Sequence, residues 1–154
     1  MLFRSGHPNT DTTTKPKVIT AFYSSIEDLA NAFDTPPAGV WNSYYLVAST
    51  KADSRKRESI ARHKAFFIDI DVGDNKPYAT KGDAAAALGQ FMLAHELPAP
   101  TVVDSGRGLH VYWTLIEPIA TFEWLKVAEQ LKQSCIAFNF NVDAMVIEIG
   151  RAHV

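Results

Sequence analysis

Two aspartates separated by one residue, Asp69 and Asp71, end the apolar run Phe66-Phe67-Ile68-Asp69-Ile70-Asp71. Residues two apart in a β-strand project from the same face, so both carboxylates would point together while Ile68 and Ile70 pack on the other face. Carboxylates held this way repel each other unless a cation lies between them, and their hard oxygen atoms suit Mg²⁺ or Mn²⁺. The pair therefore predicts a divalent-metal site at the end of a central strand. An exposed acidic strand face is the alternative for an Asp-x-Asp taken alone.

A glycine-rich turn follows later in the chain, in Asp104-Ser105-Gly106-Arg107-Gly108-Leu109-His110. Its two glycines let the backbone approach a ligand closely, and successive backbone N–H groups in such a turn can bind an anion. Ser105 adds a hydroxyl donor, Arg107 a forked cation suited to phosphate, and His110 an imidazole on the next strand. The turn predicts a phosphate-binding site. The alternative is a glycine-rich hairpin in which His110 is a partnered strand histidine.

A third carboxylate, Asp143, lies in Asn141-Val142-Asp143, which is predicted to open a further strand or turn. Two-metal phosphoryl transfer uses carboxylates that hold both ions, so a strand-end aspartate is a candidate third ligand. Taken alone, Asp143 would be interpreted as a turn aspartate. Together, three metal-ligand candidates and a phosphate site are the components that nucleotidyl transfer needs.

The elements that would position these motifs alternate along the chain. Branched and aromatic content predicts strands over residues 19–23, 44–49, 65–72, 101–103 and 110–116. Apolar residues at helical spacing predict helices over residues 26–33, 84–97 and 121–135. The second helix has a capping pattern, since Thr80 precedes it and Asp83 follows three residues later.

The composition indicates one soluble globular domain. The 154 residues are 47% apolar and 21% charged, which excludes a disordered chain and leaves room for one core. No apolar run approaches the roughly 18 residues of a membrane span, and no signal peptide is evident. The single cysteine, Cys135, cannot form an internal disulfide and is predicted to be a buried thiol. These features predict a cytoplasmic protein without a membrane partner.

Basic residues crowd the stretch before the acidic strand, although the net charge of the whole chain is −2. They are Lys51, Arg55, Lys56, Arg57, Arg62 and Lys64. A local basic patch can track phosphates even when the overall charge is near zero. The last five of these residues are therefore predicted to contact nucleic acid. A solvated loop of mixed charge is the alternative.

The three motifs, in this order, resemble those of the archaeo-eukaryotic primase superfamily, especially the primase-polymerase domains of phages, plasmids and mobile elements. The family pattern is hydrophobic-Asp-x-Asp/Glu, then a Ser-x-His that is often expanded by glycines, then hydrophobic-Asp. Here Ile68-Asp69-Ile70-Asp71 matches the first motif, residues 104–113 resemble the second with its Val-Tyr-Trp tail, and Val142-Asp143 resembles the third. The resemblance covers roughly residues 40–147.

The resemblance implies a fold and an activity. The fold would be α/β (α+β), with an RRM-like antiparallel or mixed sheet, helices packed on one face and the acidic site on the other. The activity would be that of a DNA-dependent nucleotidyltransferase, a DNA primase or primase-polymerase that makes primers in phage or mobile-element replication. Its partners would be a DNA template, nucleoside triphosphates and a helicase domain or protein, in a bacterial host cell or a phage-infected cell.

The resemblance also implies roles for particular residues. The metal ligands, for Mg²⁺ or Mn²⁺, would be Asp69, Asp71 and Asp143, and the triphosphate contacts would be Ser105, Arg107 and His110. Because a metal activates the attacking hydroxyl, the histidine is interpreted as a phosphate donor and not as a general base.

The two ends of the chain suggest foreign sequence. Residues 1–5 can be encoded by GTG CTC TTC CGA TCT and residues 149–154 by ATC GGA AGA GCA CAC GTC, and with the AG of the Glu148 codon the second DNA contains the reverse complement of the first. That DNA resembles a sequencing adapter. We therefore expect residues 1–17 to be adapter-like sequence and disordered linker, residues 18–147 a partial primase-polymerase catalytic domain, and residues 148–154 an adapter-like tail. Other codons at either end would contradict this hypothesis.

Such a fragment would be truncated before the Arg-containing strand that follows the third motif in the family. We therefore expect the fragment to be catalytically poor or inactive, and the intact protein to be active.

Two other functions stay open. A non-catalytic RRM-like module that binds single-stranded nucleic acid would use Phe66, Phe67 or Tyr112 as stacking platforms, without metal or nucleoside triphosphates. A rolling-circle nuclease also has an RRM-like sheet. That chemistry needs paired histidines and a tyrosine nucleophile, and neither His63 nor His110 belongs to a His-x-His pair.

Overall fold

The chain divides into two compact units. A computed structural model describes residues 2–6, 18–34, 42–45, 48–51 and 59–143. The first unit comprises Met1–Arg62 with Ile149–Val154, and the second comprises His63–Glu148. The predicted linker after residue 6 and the predicted tail lie outside the described residues. No helix in the described part of the chain is both long enough and apolar enough to cross a membrane.

The first unit holds a small antiparallel sheet and one helix. Its elements are β1 (Leu2–Gly6), β2 (Val18–Phe22), α1 (Ile26–Asp34), β3 (Asn42–Tyr45), β4 (Ser49–Thr50) and the start of β5 (Ile60–Asp71). The strand order is β2-β1-β3, and β4 pairs with β5 through Ser49 and Arg62. Leu2–Gly6 forms a strand whose backbone pairs on both sides, and the adapter-like origin of residues 1–5 stays a prediction. The helix predicted over 26–33 is confirmed.

The second unit contains the rest of β5 and four further elements. These are α2 (Lys81–Ala94), β6 (Thr101–Asp104), β7 (Gly108–Ala120) and α3 (Thr121–Ala137). The sheet order is β5-β7-β6, and β6 runs antiparallel to β7. Both long strands exceed their predicted lengths. In particular, β5 begins before the predicted residue 65, so Arg62 and Lys64 are strand residues and not part of a basic loop.

Both helices of the second unit pack on one face of its sheet. The core combines Ile68 and Ile70 of β5 and Val111 of β7 with buried residues of α2 and α3. Trp124 of α3 donates from Nε1 to the carbonyl of Ala65 at 2.8 Å, which ties the helix to β5. Each large apolar side chain buried here contributes about 1.5–3 kcal/mol. The α/β fold with helices on one face of an antiparallel sheet is confirmed.

Cys135 lies in the same core, as predicted. Burial raises the pKa of its thiol to about 11, so at neutral pH it is protonated and packs as a small apolar side chain.

The second helix begins and ends where local chemistry requires it. The Thr80 hydroxyl accepts from the Asp83 N–H at 3.1 Å and the Asp83 carboxylate accepts from the Thr80 N–H at 3.0 Å, which confirms the predicted capping pattern. The helix ends at Ala94, before the predicted residue 97. Glu96 adopts a left-handed φ of 53°, a conformation that terminates helices.

The side-chain alternation of β5 shifts by one residue. His63 and Ala65 are buried, and the next buried residues are Ile68 and Ile70, three and five positions after Ala65. Strict alternation from His63 would have placed Asp69 on the helix-covered face. The shift instead keeps apolar residues under the helices and leaves the aspartates on the opposite face.

His63 is the one buried polar side chain among the described residues, with 3% of its surface exposed. Its ring stacks on Trp124 at a centroid distance of 4.3 Å, and within the described part its Nε2 has no hydrogen-bond partner. Burial disfavours the charged imidazolium and lowers the pKa of His63 from 6.5 to about 4.

We expect the free energy of unfolding to fall as the pH decreases from 6.5 to about 4. In this window the unfolded chain binds a proton that folded His63 does not, so acid favours unfolding. Above this window the histidine is neutral in both states and adds no slope. Urea unfolding at a series of pH values would measure the effect. The variant His63→Phe can still stack on Trp124 and should lose this part of the pH dependence, and identical profiles for the two proteins would contradict the assignment.

Candidate functional site

Asp69 and Asp71 lie on the face of β5 that the helices leave uncovered. They flank Ile70, which is fully buried on the other face. The side chain of Asp69 is 18% exposed and that of Asp71 is 41% exposed, so the first carboxylate is the more enclosed of the two. The shared orientation expected from their spacing is what the structure shows.

The segment that carries Asp143 runs beside the end of β5. The backbone N–H of Asp143 donates to the carbonyl of Asp69 at 2.8 Å, and that of Asn141 donates to the Tyr78 hydroxyl at 3.1 Å. Just before this segment, Phe140 is buried in the core and anchors it. Residues 141–143 form neither helix nor strand. The strand or turn predicted to begin here therefore shows no strand pairing within the described residues. The third predicted carboxylate residue is nevertheless brought next to the first.

Asp71 and Asp143 line one cavity of about 350 Å³. Its other lining residues are Lys76, Pro77, Asn141 and Val142. The Lys76 ammonium donates to the Asp71 carboxylate at 2.5 Å. This hydrogen bond raises the pKa of Lys76, with further contributions from the negative charges of Asp71, Asp143 and Asp69.

A tight loop after β5 places Lys76 at this position. Gly73 has a φ of 129° and Asn75 a φ of 63°, both in the left-handed region. The Lys76 N–H donates to the carbonyl of Gly73 at 3.1 Å, and the Gly73 N–H donates to the carbonyl of Tyr78 at 3.0 Å. These bonds fold the loop back on the strand end, so the lysine returns toward the carboxylates.

His110 of β7 faces the same cluster. Its Nε2 lies 3.7 Å from Asp69 Oδ1, and its Nδ1 lies 3.3 Å from the Tyr112 hydroxyl. If the hydroxyl donates to Nδ1, the ring proton resides on Nε2, which is then a donor directed at the acidic side of the site. Tyr112 thus contacts the ring of His110, in addition to the stacking role predicted for it from the sequence.

The glycine-rich turn is held by its own hydrogen bonds. The Ser105 N–H donates to the carbonyl of Gly108 at 3.1 Å, and the Gly106 N–H donates to the Asp104 carboxylate at 2.7 Å. Gly106 has a φ of 87°, the unusual conformation expected of it. These two N–H groups are engaged within the turn, and the predicted anion-binding role of the turn stays a prediction.

The turn is fixed to its surroundings on two sides. The Arg107 carbonyl accepts from the Val72 N–H at 3.0 Å, which joins the turn to the end of β5. The Lys81 ammonium pairs with the Asp104 carboxylate at 2.7 Å, and this hydrogen bond lowers the pKa of Asp104. Ser105 and Arg107 are therefore carried close to the strand end that bears Asp71.

Only two of the five basic residues predicted to contact nucleic acid lie within the described part of the chain. Arg55, Lys56 and Arg57 lie outside the described residues. Arg62 and Lys64 are exposed on β5, and the Lys64 ammonium donates to the carbonyl of Ile116 at 2.8 Å.

The three aromatic residues considered as stacking platforms do not share one face. Phe66 stacks on Trp124 under the helices, with centroids 5.7 Å apart, so the prediction of Phe66 as a platform is wrong. The rings of Phe67 and Tyr112 lie 6.2 Å apart, next in their strands to Ile68 and Val111, which face the helices. They lie on the face that carries Asp69.

One solved structure has a similar architecture: the AEP domain of the primase-polymerase of cyanophage S-2L. The match has a TM-score of 0.58 at 19% sequence identity and covers 99% of this chain and 70% of that chain. The chain shares this fold. No family model matches the sequence, and no curated protein matches it. At this identity the similarity concerns the fold, and the roles of single residues depend on the geometry above.

The donor chemistry of the site fits a divalent cation. Among the described residues, no three His, Cys, Asp or Glu side chains are gathered closely enough to hold a metal ion. In this conformation Asp71 is paired with Lys76, an ammonium drawn to the position that a metal would favour. Carboxylate oxygens are the ligands that Mg²⁺ and Mn²⁺ prefer, and Asp71 already pairs with one cation. The assignment of Asp69, Asp71 and Asp143 as metal ligands stays a prediction.

Proposed function

We propose that this chain is a DNA-dependent nucleotidyltransferase of the primase-polymerase type, which joins nucleoside triphosphates on a DNA template with two divalent cations. One observation carries the proposal: at the end of β5 the Asp143 backbone bonds to that of Asp69, Asp71 and Asp143 line one cavity, and His110 lies 3.7 Å from Asp69. The fold similarity to a cyanophage primase-polymerase domain supports it. Primer synthesis in phage or mobile-element replication, with a helicase domain or protein as partner, belongs to the same proposal.

In the proposed mechanism the aspartates bind the metal ions and the histidine contacts the phosphate. Mg²⁺ or Mn²⁺ held by Asp69, Asp71 and Asp143 would lower the pKa of the attacking 3′-hydroxyl and stabilise charge on the departing pyrophosphate. His110, oriented by Tyr112, would donate from Nε2 to a phosphate oxygen. No side-chain nucleophile is needed.

The turn would complete the nucleotide site. Ser105 carries a hydroxyl and Arg107 a guanidinium that can bind a phosphate through two parallel hydrogen bonds. The bond between the Arg107 carbonyl and the Val72 N–H holds the turn at the end of β5, next to the carboxylates. A triphosphate bound by the turn would thus lie beside the proposed metal ligands.

Nucleotide affinity tests the role of His110. We expect His110→Ala to weaken binding of dATP or ATP in the presence of Mn²⁺ by about tenfold, the loss of one charge-assisted hydrogen bond, while Mn²⁺ binding persists. Isothermal titration measures both affinities, and binding is the readout because it does not depend on turnover. His95→Ala is the matched control, since His95 packs against Phe91 on the helix face. Normal nucleotide affinity in His110→Ala would count against this role.

The same protein distinguishes the alternative function. Phe67 and Tyr112 on the open face suit a module that binds single-stranded nucleic acid by stacking. Such a module should bind single-stranded DNA equally with Mn²⁺ or with EDTA, and should not bind nucleoside triphosphates. Fluorescence anisotropy with a labelled oligonucleotide measures the first property. Binding that ignores both metal and nucleotide would replace the nucleotidyltransferase by the binding module.

A further inference from the structure

Lys76 is a cation among the proposed metal ligands that the mechanism above does not use. It lines the same cavity as Asp71 and Asp143 and pairs with the Asp71 carboxylate. A lysine at this place opposes metal binding, because like charges repel within a shared site. A lysine at this position is therefore expected to have a role of its own in the site, separate from metal binding.

The ion pair is built so that it can exchange. The Lys76 side chain is 47% exposed and that of Asp71 is 41% exposed, and pairs at such positions contribute little to stability. The backbone of the loop is fixed by the bonds at Gly73 and Tyr78, whereas the four-carbon lysine stem is flexible. The ammonium can thus leave Asp71 and still remain at the cavity.

We propose that Lys76 is a triphosphate-binding residue, which serves as the counter-ion of Asp71 in the free protein and transfers to the incoming nucleotide when divalent cations neutralise the carboxylates. The inference rests on the proposed function, and it adds a further residue that binds the negatively charged triphosphate. Divalent charge at the aspartates repels the ammonium, and the phosphate oxygens then offer it the strongest acceptors nearby. Lysine is well suited to this task as a compact, mobile point charge.

The proposal predicts effects of opposite sign in one variant. Lys76→Gln removes the competing cation, so binding of Mn²⁺ alone should become severalfold tighter. The same change removes a phosphate contact, so binding of dATP or ATP at saturating Mn²⁺ should become about tenfold weaker. A lysine that serves only as a counter-ion would give the first effect without the second. Lys76→Arg keeps the positive charge and should retain most of the nucleotide affinity.

The experiment uses the full chain. Electron paramagnetic resonance of free Mn²⁺ gives the metal affinity, isothermal titration gives the nucleotide affinity, and circular dichroism melting confirms that each variant is folded. Lys126→Gln is the matched control, because Lys126 is exposed on α3, where it lies over the Phe122 ring, and should leave both affinities unchanged.

Each outcome is decisive. Weaker nucleotide binding with tighter metal binding in Lys76→Gln supports the proposal. Unchanged or stronger nucleotide binding overturns it, and so does weaker Mn²⁺ binding, which would make the lysine a support of the metal site. If the unsubstituted chain binds neither Mn²⁺ nor nucleotide, the proposed function fails and the role of Lys76 fails with it. This outcome is visible before any variant is measured, so it is distinct from a failure of the Lys76 proposal alone.

Discussion

Replacing Asp69 by asparagine should abolish Mn²⁺ binding, and with it any metal-dependent nucleotide incorporation, while the chain stays folded. Asparagine keeps the size and polarity of the side chain but removes the charge that would hold a cation. The backbone bond from Asp143 to the carbonyl of residue 69 does not involve the side chain and should persist. Because a bound metal supplies several kcal/mol of charge stabilisation, the loss of incorporation should exceed about 100-fold.

Asp71→Asn should have the same effect on incorporation, with one difference in binding. It removes the partner of Lys76 as well as a proposed metal ligand, so the lysine is released in the absence of metal. The measurement is incorporation of a labelled nucleotide opposite a DNA template, with Mn²⁺ binding measured in parallel.

Asp74→Asn is the matched control for both aspartate variants. Asp74 is an exposed carboxylate in the loop after β5, outside the residues that line the cavity. Its replacement should leave both incorporation and Mn²⁺ binding unchanged. Mn²⁺ binding by Asp69→Asn at the level of the unsubstituted chain would exclude this carboxylate as a metal ligand and remove the main support of the proposed function.

Local sequence signals were sufficient for the elements of the second unit. The Thr80–Asp83 pair fixes a helix start through bonds between neighbours, and apolar runs ended by glycine or proline identify β5, β6 and β7. The predicted clustering of Asp69 with Asp71 also follows from a local rule, the period of two in a strand. Such features depend on residues only a few positions apart.

Two features of the site were not predicted from the sequence, because each depends on how one segment folds against another. The shift of alternation in β5 lies where Trp124 of α3 stacks on both His63 and Phe66, and a strand pattern alone contains no information about this partner. The ion pair of Lys76 follows from how a tight loop folds back on the strand. A lysine five residues after Asp71, in a segment that contains Gly73 and Pro77, was the available signal.

Gly108 is important to the site, as predicted, but for a reason other than the predicted approach of a ligand. It was expected to let the backbone approach a ligand. A Cβ at this position would instead lie 2.0 Å from the carbonyl oxygen of Ile70 and 3.1 Å from the Cα of Asp71. The glycine therefore allows β7 to approach β5 at the point where β5 delivers Asp71 to the site. Both the close approach of β7 to β5 and the position of the Asp71 carboxylate depend on the absence of a side chain at residue 108.

Gly108→Ala should destabilise the protein by about 3 kcal/mol or more, the upper range for overpacked positions. The contacting atoms are backbone atoms of Ile70 and Asp71, which cannot rotate away, so the two strands must separate. Separation would also displace Asp71, and Mn²⁺ binding should weaken under conditions where the variant is still folded. Urea unfolding measures the first effect and electron paramagnetic resonance the second.

Gly89→Ala is the matched control, because a Cβ at Gly89 of α2 meets no atom within 4 Å. In a helix this change should stabilise by about 0.5–1 kcal/mol, since alanine has the higher helix propensity. The two substitutions add the same methyl group, so opposite signs would assign the cost at Gly108 to strand contact and not to the methyl itself. Equal stability of Gly108→Ala and the unsubstituted chain would mean that β5 and β7 are farther apart than described, and the position of Asp71 beside the turn would then lose its structural basis.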